Sequence, residues 1–396
     1  MKMRTGTAKA GTAPEPGSGR PILDGVRIMD MTSVIFGPYC TSILASMGAE
    51  VVKLEPAHGD ELRRVGRPRR NRGMGPAHLT LNAGKRAVAW NIRTAEGKER
   101  LLRRIADSQV FIHNLRPEAA QRAGLDHASL SAGRADLILV TCSGYDSRGP
   151  LSGRPAYDDV IQAASGAASL LPRIDGNPQP RYLPMAIADK VAGLYAANAV
   201  LAALAHRAAT GQGCEVEVPM FESFTHFLLQ DHLYGAALVD GPEGAGYPRQ
   251  LDAERQPMAT LDGYVTIAPY TDERWVRFFA VAGASDFLDR HELGDARSRF
   301  AGLHLMQAEM ARLLRNRTTA EWLDLCARHD IPASHVASLD EILNDPQLAA
   351  SEFFRIRHHP SEGPYREMRL PIRFTGHPEA ERIPARSIGE DDDLIS

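Results

Sequence analysis

The stretch from Arg154 to Glu222 carries the sequence's clearest chemical potential, because it sets an acid against a long run of small apolar residues. Asp189 stands in IADKVAGLYAANAVLAALAHRAATGQG, just before an extended helical pattern. At the start of such a helix the orphan N–H groups and the positive dipole end are expected to hold its carboxylate ionised. An ionised, positioned carboxylate can act as a nucleophile. Asp is also among the preferred N-cap residues, so on the residues alone a cap is the other role for this side chain.

Other reactive residue types offer less. The four cysteines, Cys40, Cys142, Cys214 and Cys326, lie far apart with no CxxC spacing, which indicates neither a zinc site nor a disulfide framework and fits a reducing compartment. Among the fourteen histidines, His226 and His232 are six residues apart and His358 adjoins His359, neither being the i, i+4 spacing of a helical metal pair. Trp90, Trp275 and Trp322 read as packing residues. The run RRVGRPRRNRG at 63–73 holds six arginines, either a solvated loop or a contact for a phosphate-bearing small ligand.

Two nucleotide signatures are missing. MTSVIFGPYC lacks the G-x-G-x-x-G that cradles a pyrophosphate, and the Gly84–Lys85 pair is preceded by Leu79 where a phosphate loop needs Gly. Neither an NAD nor an ATP site is expected.

Composition bounds the class. With 396 residues, 43% hydrophobic and 24% charged, the chain suits a soluble protein of two or three domains with a large core. A formal net charge of -3 without a continuous basic face argues against nucleic acid and against an anionic membrane surface. The nearly apolar run around Gly193 to Ala205 is shorter than the ~18 residues that argue a membrane span. Residues 1–20 lack the apolar core of a signal peptide and read as a flexible tail.

From Val26 onward, short apolar strands alternate with helices. VRIMDM, EVVKLE, RAVAWNI, QVFIHNL and ADLILVTCSGY are separated by PYCTSILASMG, EGKERLLRRIADS and PEAAQRAGL. This pattern predicts a parallel sheet with helices on its faces, a Rossmann-like arrangement of α/β class. CEVEVPM at 214–220 alternates as a half-buried strand, FESFTHFLLQDHLYGAALV at 221–239 reads as a helix, and the Pro/Gly-rich segment 240–250 marks a boundary. Residues 258–330 look like a smaller α+β unit, and the last part holds a strand pair around REMRLPIRF.

Six blocks in order resemble the class III CoA-transferases, the CaiB/BaiF family: GPYCTSILASMGAEVVKLEPAHGDELR, GKRAVAWNIRTAEGKERLLRRIADSQVFIHNLRPEAAQRAGL, AYDDVIQAASG, IAD with its small-residue helix, LAALAHRAATGQG, and DIPASHVASLDEILNDPQL. The resemblance implies a large Rossmann-like CoA-binding domain of residues 21–235 and 331–396, with a small domain at 240–330. It further implies a cytoplasmic homodimer with interlinked chains and an EC 2.8.3 activity moving coenzyme A from an acyl-CoA donor to a small carboxylic acid. No permanent cofactor or metal is implied, coenzyme A being a substrate.

By the same resemblance Asp189 aligns with the family nucleophile, and the loop at Ile35, Phe36 and Gly37 brings backbone to the thioester. CoA contacts fall at Ile35, Phe36, Trp90, Arg93, Asn114, Leu115, Arg116, Arg122, Tyr157 and Asp158. Ile35 replaces a glutamine of the formate- and oxalate-handling members, and Pro56 replaces an arginine after KLE. Related α-methylacyl-CoA racemases pair the Asp with a His where Tyr157 stands here, and a Tyr pKa of ~10 suits a base poorly near neutral pH. Racemisation, or CoA binding without turnover, are the alternatives.

Overall fold

The computed structural model describes residues 19–395, so the tail expected at 1–20 lies, up to residue 18, outside the described residues. The chain forms two units. The first holds the described residues through Ala168, then Tyr182–Leu228 and Ala349 onward; the second holds Ser169–Arg181 and Leu229–Leu348.

In the first unit six strands form one sheet: β1 (Arg27–Met31), β2 (Glu50–Leu54), β3 (Lys85–Val88), β4 (Val110–His113), β5 (Ile138–Ser143) and β6 (Cys214–Pro219). All pairs are parallel, in the order β3-β2-β1-β4-β5-β6. Alternate residues of each strand point to opposite faces, and both faces are covered. Ile28, Ile112 and Val140 join one core with Cys40, Leu44, Ala192 and Val200. Met29, Phe111 and Leu139 join another with Val52, Val88, Leu101 and Ile105. Burial on both sides explains why the inner strands β1, β2, β4 and β5 read as nearly continuous apolar runs, while the edge strand β6 alternates and is half-buried.

The helix Ile187–Thr210 packs against the helix Phe36–Ser46 and against β5 and β6. Its 24 residues are long and apolar enough to cross a membrane by length and composition, yet half of the most apolar window is buried inside the unit, where it serves as a core helix. It stops at Gly211, which takes φ 72° and donates its N–H to the Arg207 carbonyl at 2.8 Å. A left-handed residue after the last turn suits glycine, which has no Cβ to clash.

A hairpin of β10 (Phe354–His359) and β11 (Gly363–Met368) precedes the C-terminal segment. The second strand ends at Met368, short of the stretch expected from REMRLPIRF, because Pro371 has no N–H to give a ladder. The end of the chain then covers the open edge of β3: Asp391 accepts from the Ala87 N–H at 2.9 Å and Asp392 from the Ala89 N–H at 2.8 Å.

The second unit has its own core. An antiparallel sheet of β7 (Met258–Ala259), β8 (Tyr264–Ile267) and β9 (Ala333–His335) packs with helices around Trp275, Phe278, Phe279, Phe287 and Trp322. The Trp322 indole N–H, taken out of water, donates to the Leu314 carbonyl at 2.9 Å.

Candidate active site

In an open parallel sheet, ligands settle beyond the carboxyl ends of the strands where the strand order reverses. Here that point lies between β1 and β4. A cleft of about 220 Å³ opens there, lined by Ser33, Val34 and Phe36 after β1, Asn114 to Pro117 after β4, Thr141 to Tyr145 along and after β5, Ser152 to Tyr157, Glu217, Met220 and Asp189. Asn114 ties the two sides of the switch together by donating to the Ser33 hydroxyl at 3.2 Å.

Asp189 differs from the sequence expectation in two ways. The helix begins at Ile187 with Ala186 as its N-cap, so Asp189 occupies the third helical position and caps nothing. The capping acceptor is Asp158, thirty-one residues before Asp189, whose Oδ1 accepts from the N–H groups of Ala188 at 2.7 Å and Asp189 at 3.1 Å. Its Oδ2 accepts from Gln162 Nε2 at 2.6 Å.

The second difference is electrostatic. Burial raises the Asp189 pKa from 3.8 to about 7, the negative charge of Asp158 adds to the rise, and a hydrogen bond from the Phe36 backbone and the Lys190 charge only partly oppose it. Desolvation outweighs the helix dipole, and the Asp158 carboxylate at the same helix end adds its repulsion. The result is a carboxyl group poised between its two forms near neutral pH, in a cleft, which is the pattern of functional acids.

Close packing sets Phe36 beside this acid. Gly193 is one turn beyond Asp189, and a Cβ there would stand 2.9 Å from the Phe36 carbonyl oxygen and 2.9 Å from the Tyr39 ring. Glycine therefore lets the two helices approach until the Phe36 backbone reaches the carboxyl group.

Beneath the turn that carries Phe36 lies a buried group of three acids and three bases: Asp30, Glu55 and Asp60 with Lys53, Arg63 and Lys85. Asp30 accepts from the Thr32 N–H at 2.9 Å and from the Thr41 hydroxyl at 2.5 Å, and Lys53 donates to the Thr32 carbonyl at 2.7 Å. Lys85 donates to the Pro38 carbonyl at 2.8 Å. Arg63, expected in a solvated loop, is 2% exposed and forks onto Glu55 at 2.6 and 2.9 Å; the other arginines of the run stay at the surface. Burial opposes the Asp60 charge, but Lys53 and hydrogen bonds from Leu62, Lys53 and Val34 outweigh it and keep the carboxyl below its ordinary pKa.

Of the residues named from sequence, Asp189, Phe36, Asn114, Leu115, Arg116 and Tyr157 line the cleft together. Ile35 sits at the helix N-cap behind them and Asp158 is held in the capping role. Arg93 and Arg122 are exposed away from the lining, and Trp90 is 6% exposed within the second core of the sheet, its Nε1 without a partner among the described residues. Periodicity alone had no means of finding Arg154 and Glu217, which reach the cleft from turns and a strand end. His113 was missed as well: burial lowers its pKa to about 4, and its Nδ1 accepts from the Leu115 N–H at 3.2 Å, shaping the turn after β4. Among the described residues, no three His, Cys, Asp or Glu side chains group as metal ligands.

Comparison with known proteins places this arrangement. The profile of CoA-transferase family III matches residues 23–392. A probable fatty acyl-CoA transferase of Mycobacterium tuberculosis, Rv3272, is 29% identical over 350 residues, covering 83% of this chain and 86% of that protein. The beta subunit of succinyl-CoA–L-malate CoA-transferase from Chloroflexus aurantiacus is 30% identical over 333 residues, covering 83% of this chain and 81% of its own length. In crystal structures, a CaiB/BaiF family protein from Brucella suis superposes with a TM-score of 0.79 at 25% identity, over 95% of this chain and 99% of that one. Rv3272 itself superposes with a TM-score of 0.81 at 24% identity, over 96% and 99%. With its parallel six-stranded sheet, its cleft at the strand-order reversal and a profile match running nearly end to end, this chain belongs to CoA-transferase family III.

Proposed function

We propose that the protein transfers coenzyme A from an acyl-CoA donor to a carboxylic acid through covalent intermediates on Asp189. The observation that carries this reading is a carboxyl group in a cleft, at the switch point of the sheet, with its pKa raised to about 7 and a backbone N–H beside it. Ionised, Asp189 attacks the donor thioester carbonyl; the tetrahedral intermediate collapses, the C–S bond breaks and CoA leaves as thiolate, giving an aspartyl acyl anhydride. The thiolate attacks the aspartyl carbonyl, expels the donor acid as carboxylate and leaves an aspartyl CoA thioester. The acceptor carboxylate then displaces the thiolate, forming a second anhydride, and the thiolate takes the acceptor acyl group and restores Asp189.

Each step develops an oxyanion, and a backbone donor such as the Phe36 N–H contributes about 3 kcal/mol where it meets such charge. The exposed guanidinium groups of Arg116 and Arg154 form no ion pair among the described residues and suit the phosphates of CoA. Two copies with interlinked chains form the working enzyme in this reading, which native mass spectrometry and crosslinking test.

The substrates of relatives suggest a panel of succinyl-CoA, acetyl-CoA and a fatty acyl-CoA against glutarate, malate and oxalate. Incubation with each donor and hydroxylamine, followed by mass spectrometry, is expected to leave a hydroxamate at Asp189. Exchange of the substrate α-proton with deuterium and no adduct would instead indicate racemisation, and neither signal would leave CoA binding alone.

A further inference from the structure

Val34 is a β-branched residue at φ 67°, in the left-handed region that such side chains almost never enter. Backbone of this kind persists only where its surroundings over-determine it. The surroundings here are unusually specific. The Val34 N–H faces the Asp60 carboxylate, 3.1 Å from each oxygen. Asp60 is 2% exposed and is itself fixed from three sides. Its Oδ2 pairs with Lys53 Nζ at 3.1 Å, its Oδ1 accepts from the Leu62 N–H at 3.0 Å, and its own N–H donates to Glu55 Oε2 at 3.1 Å.

The turn so held runs from β1 into the Phe36 helix. Thr32 is anchored by Asp30 and Lys53 and Pro38 by Lys85, so Val34 is the middle of three points at which buried charges grip the backbone. Two residues beyond Val34, Phe36 meets Asp189, against a helix that Gly193 keeps close. A free Val34 would relax to an ordinary extended conformation and swing the turn.

We infer that Asp60 is a positioning residue for Asp189: through the Val34 N–H it holds the β1 turn in the one conformation that sets the Phe36 backbone beside the reacting carboxyl group. This rests on the reading of Asp189 as the nucleophile. The charged groups facing Asp60 are Lys53 and, around it, Glu55, Arg63, Asp30 and Lys85; those facing Asp189 are Asp158 and Lys190.

The test compares wild type with Asp60→Asn and with Asp60→Asn/Val34→Gly, using hydroxylamine trapping on succinyl-CoA and steady-state kinetics with the donor–acceptor pair that turns over fastest. Asn leaves an acceptor but removes the charge that Lys53 clamps. Its kcat is expected to fall by about 100-fold, the scale of a 1 Å misplacement, while KM changes much less. The rising limb of the pH profile should move to higher pH, because Asp189 loses the donor that favours its ionised form. Glycine adopts the left-handed region without strain, so the added Val34→Gly change should restore much of the lost kcat, which a merely destabilising substitution at Asp60 does not explain. Should the Asn variant not fold, Asp60→Glu retains the charge beside Lys53, shifts the acceptor by one methylene, and carries the same expectation for kcat and the pH limb. No adduct in wild type with succinyl-CoA, acetyl-CoA or the fatty acyl-CoA overturns the nucleophile and this inference together. An adduct in wild type, with kcat and the pH limb unchanged in the folded Asp60 variant, overturns the positioning role alone.

Discussion

Replacing Asp189 with Asn removes a proton-binding site whose energetics can be worked from its surroundings. In the native state burial and Asp158 lift its pKa from 3.8 to about 7. Because the native pKa lies above that of the unfolded chain, the native state keeps its proton where the unfolded chain has already released it. Stability therefore falls as pH rises from about 4 to about 7 and stays at its lower level beyond, by about 1.4 kcal/mol for each pH unit crossed. Asn has the same shape, can accept from Phe36, and never ionises. Relative to wild type, Asp189→Asn should gain on the order of 3 kcal/mol between about pH 5 and about pH 8. Denaturant unfolding of both proteins at the two pH values, followed by fluorescence of the tryptophans, reads this directly. The variant should be the more stable protein at about pH 8 while transferring no CoA. Parallel stability curves for the two proteins across that interval would refute an acid strained by its setting.

Three further outcomes are expected. In wild type, kcat/KM should climb through about pH 7 and then level, since in the proposed mechanism only the ionised Asp189 attacks; a flat profile through that interval contradicts the raised pKa. Asp158→Asn keeps an acceptor for the Ala188 and Asp189 N–H groups but removes the like charge, so the same limb should shift to lower pH, by less than the whole rise because burial remains. Gly193→Ala drives a Cβ to within 2.9 Å of the Phe36 carbonyl, so the turn or the helix must move; a cost of about 1–3 kcal/mol in stability and a fall in kcat larger than any change in KM are expected, measured by thermal unfolding and steady-state kinetics.

The inner strands were legible because they are buried on both faces: VFIH, with all four residues buried, follows the amphipathic helix Ala95–Ala106 and admits few other readings. Asp189 was legible as an acid at a helix start, but its surroundings were not. The cap it was expected to provide comes from Asp158, and no local pattern joins a side chain at 158 to N–H groups at 188 and 189. Expecting the dipole to ionise Asp189 failed because burial of the carboxyl group, with the charge of Asp158 added, outweighs it. Arg63 looked solvated among its neighbours because its partner, Glu55, lies before the turn that folds it inward. Val34 was silent altogether; a valine at positive φ is improbable on local grounds and follows only from Asp60, twenty-six residues later. Segment 169–181 joins the second unit although its sequence neighbours on both sides belong to the first, a placement that periodicity does not encode.

The cleft draws its walls from turns near residues 33, 115, 144 and 155, from the helix at 189 and from the end of β6 at 217. Chain segments so far apart can meet only after all intervening loops have closed, and such topologies fold slowly. β6 is the last strand to be synthesised in this sheet, and it follows the long helix that crosses to reach it. During refolding from denaturant, recovered turnover should therefore trail the recovery of helical circular dichroism, making catalysis a reporter of the final strand's docking and not of collapse.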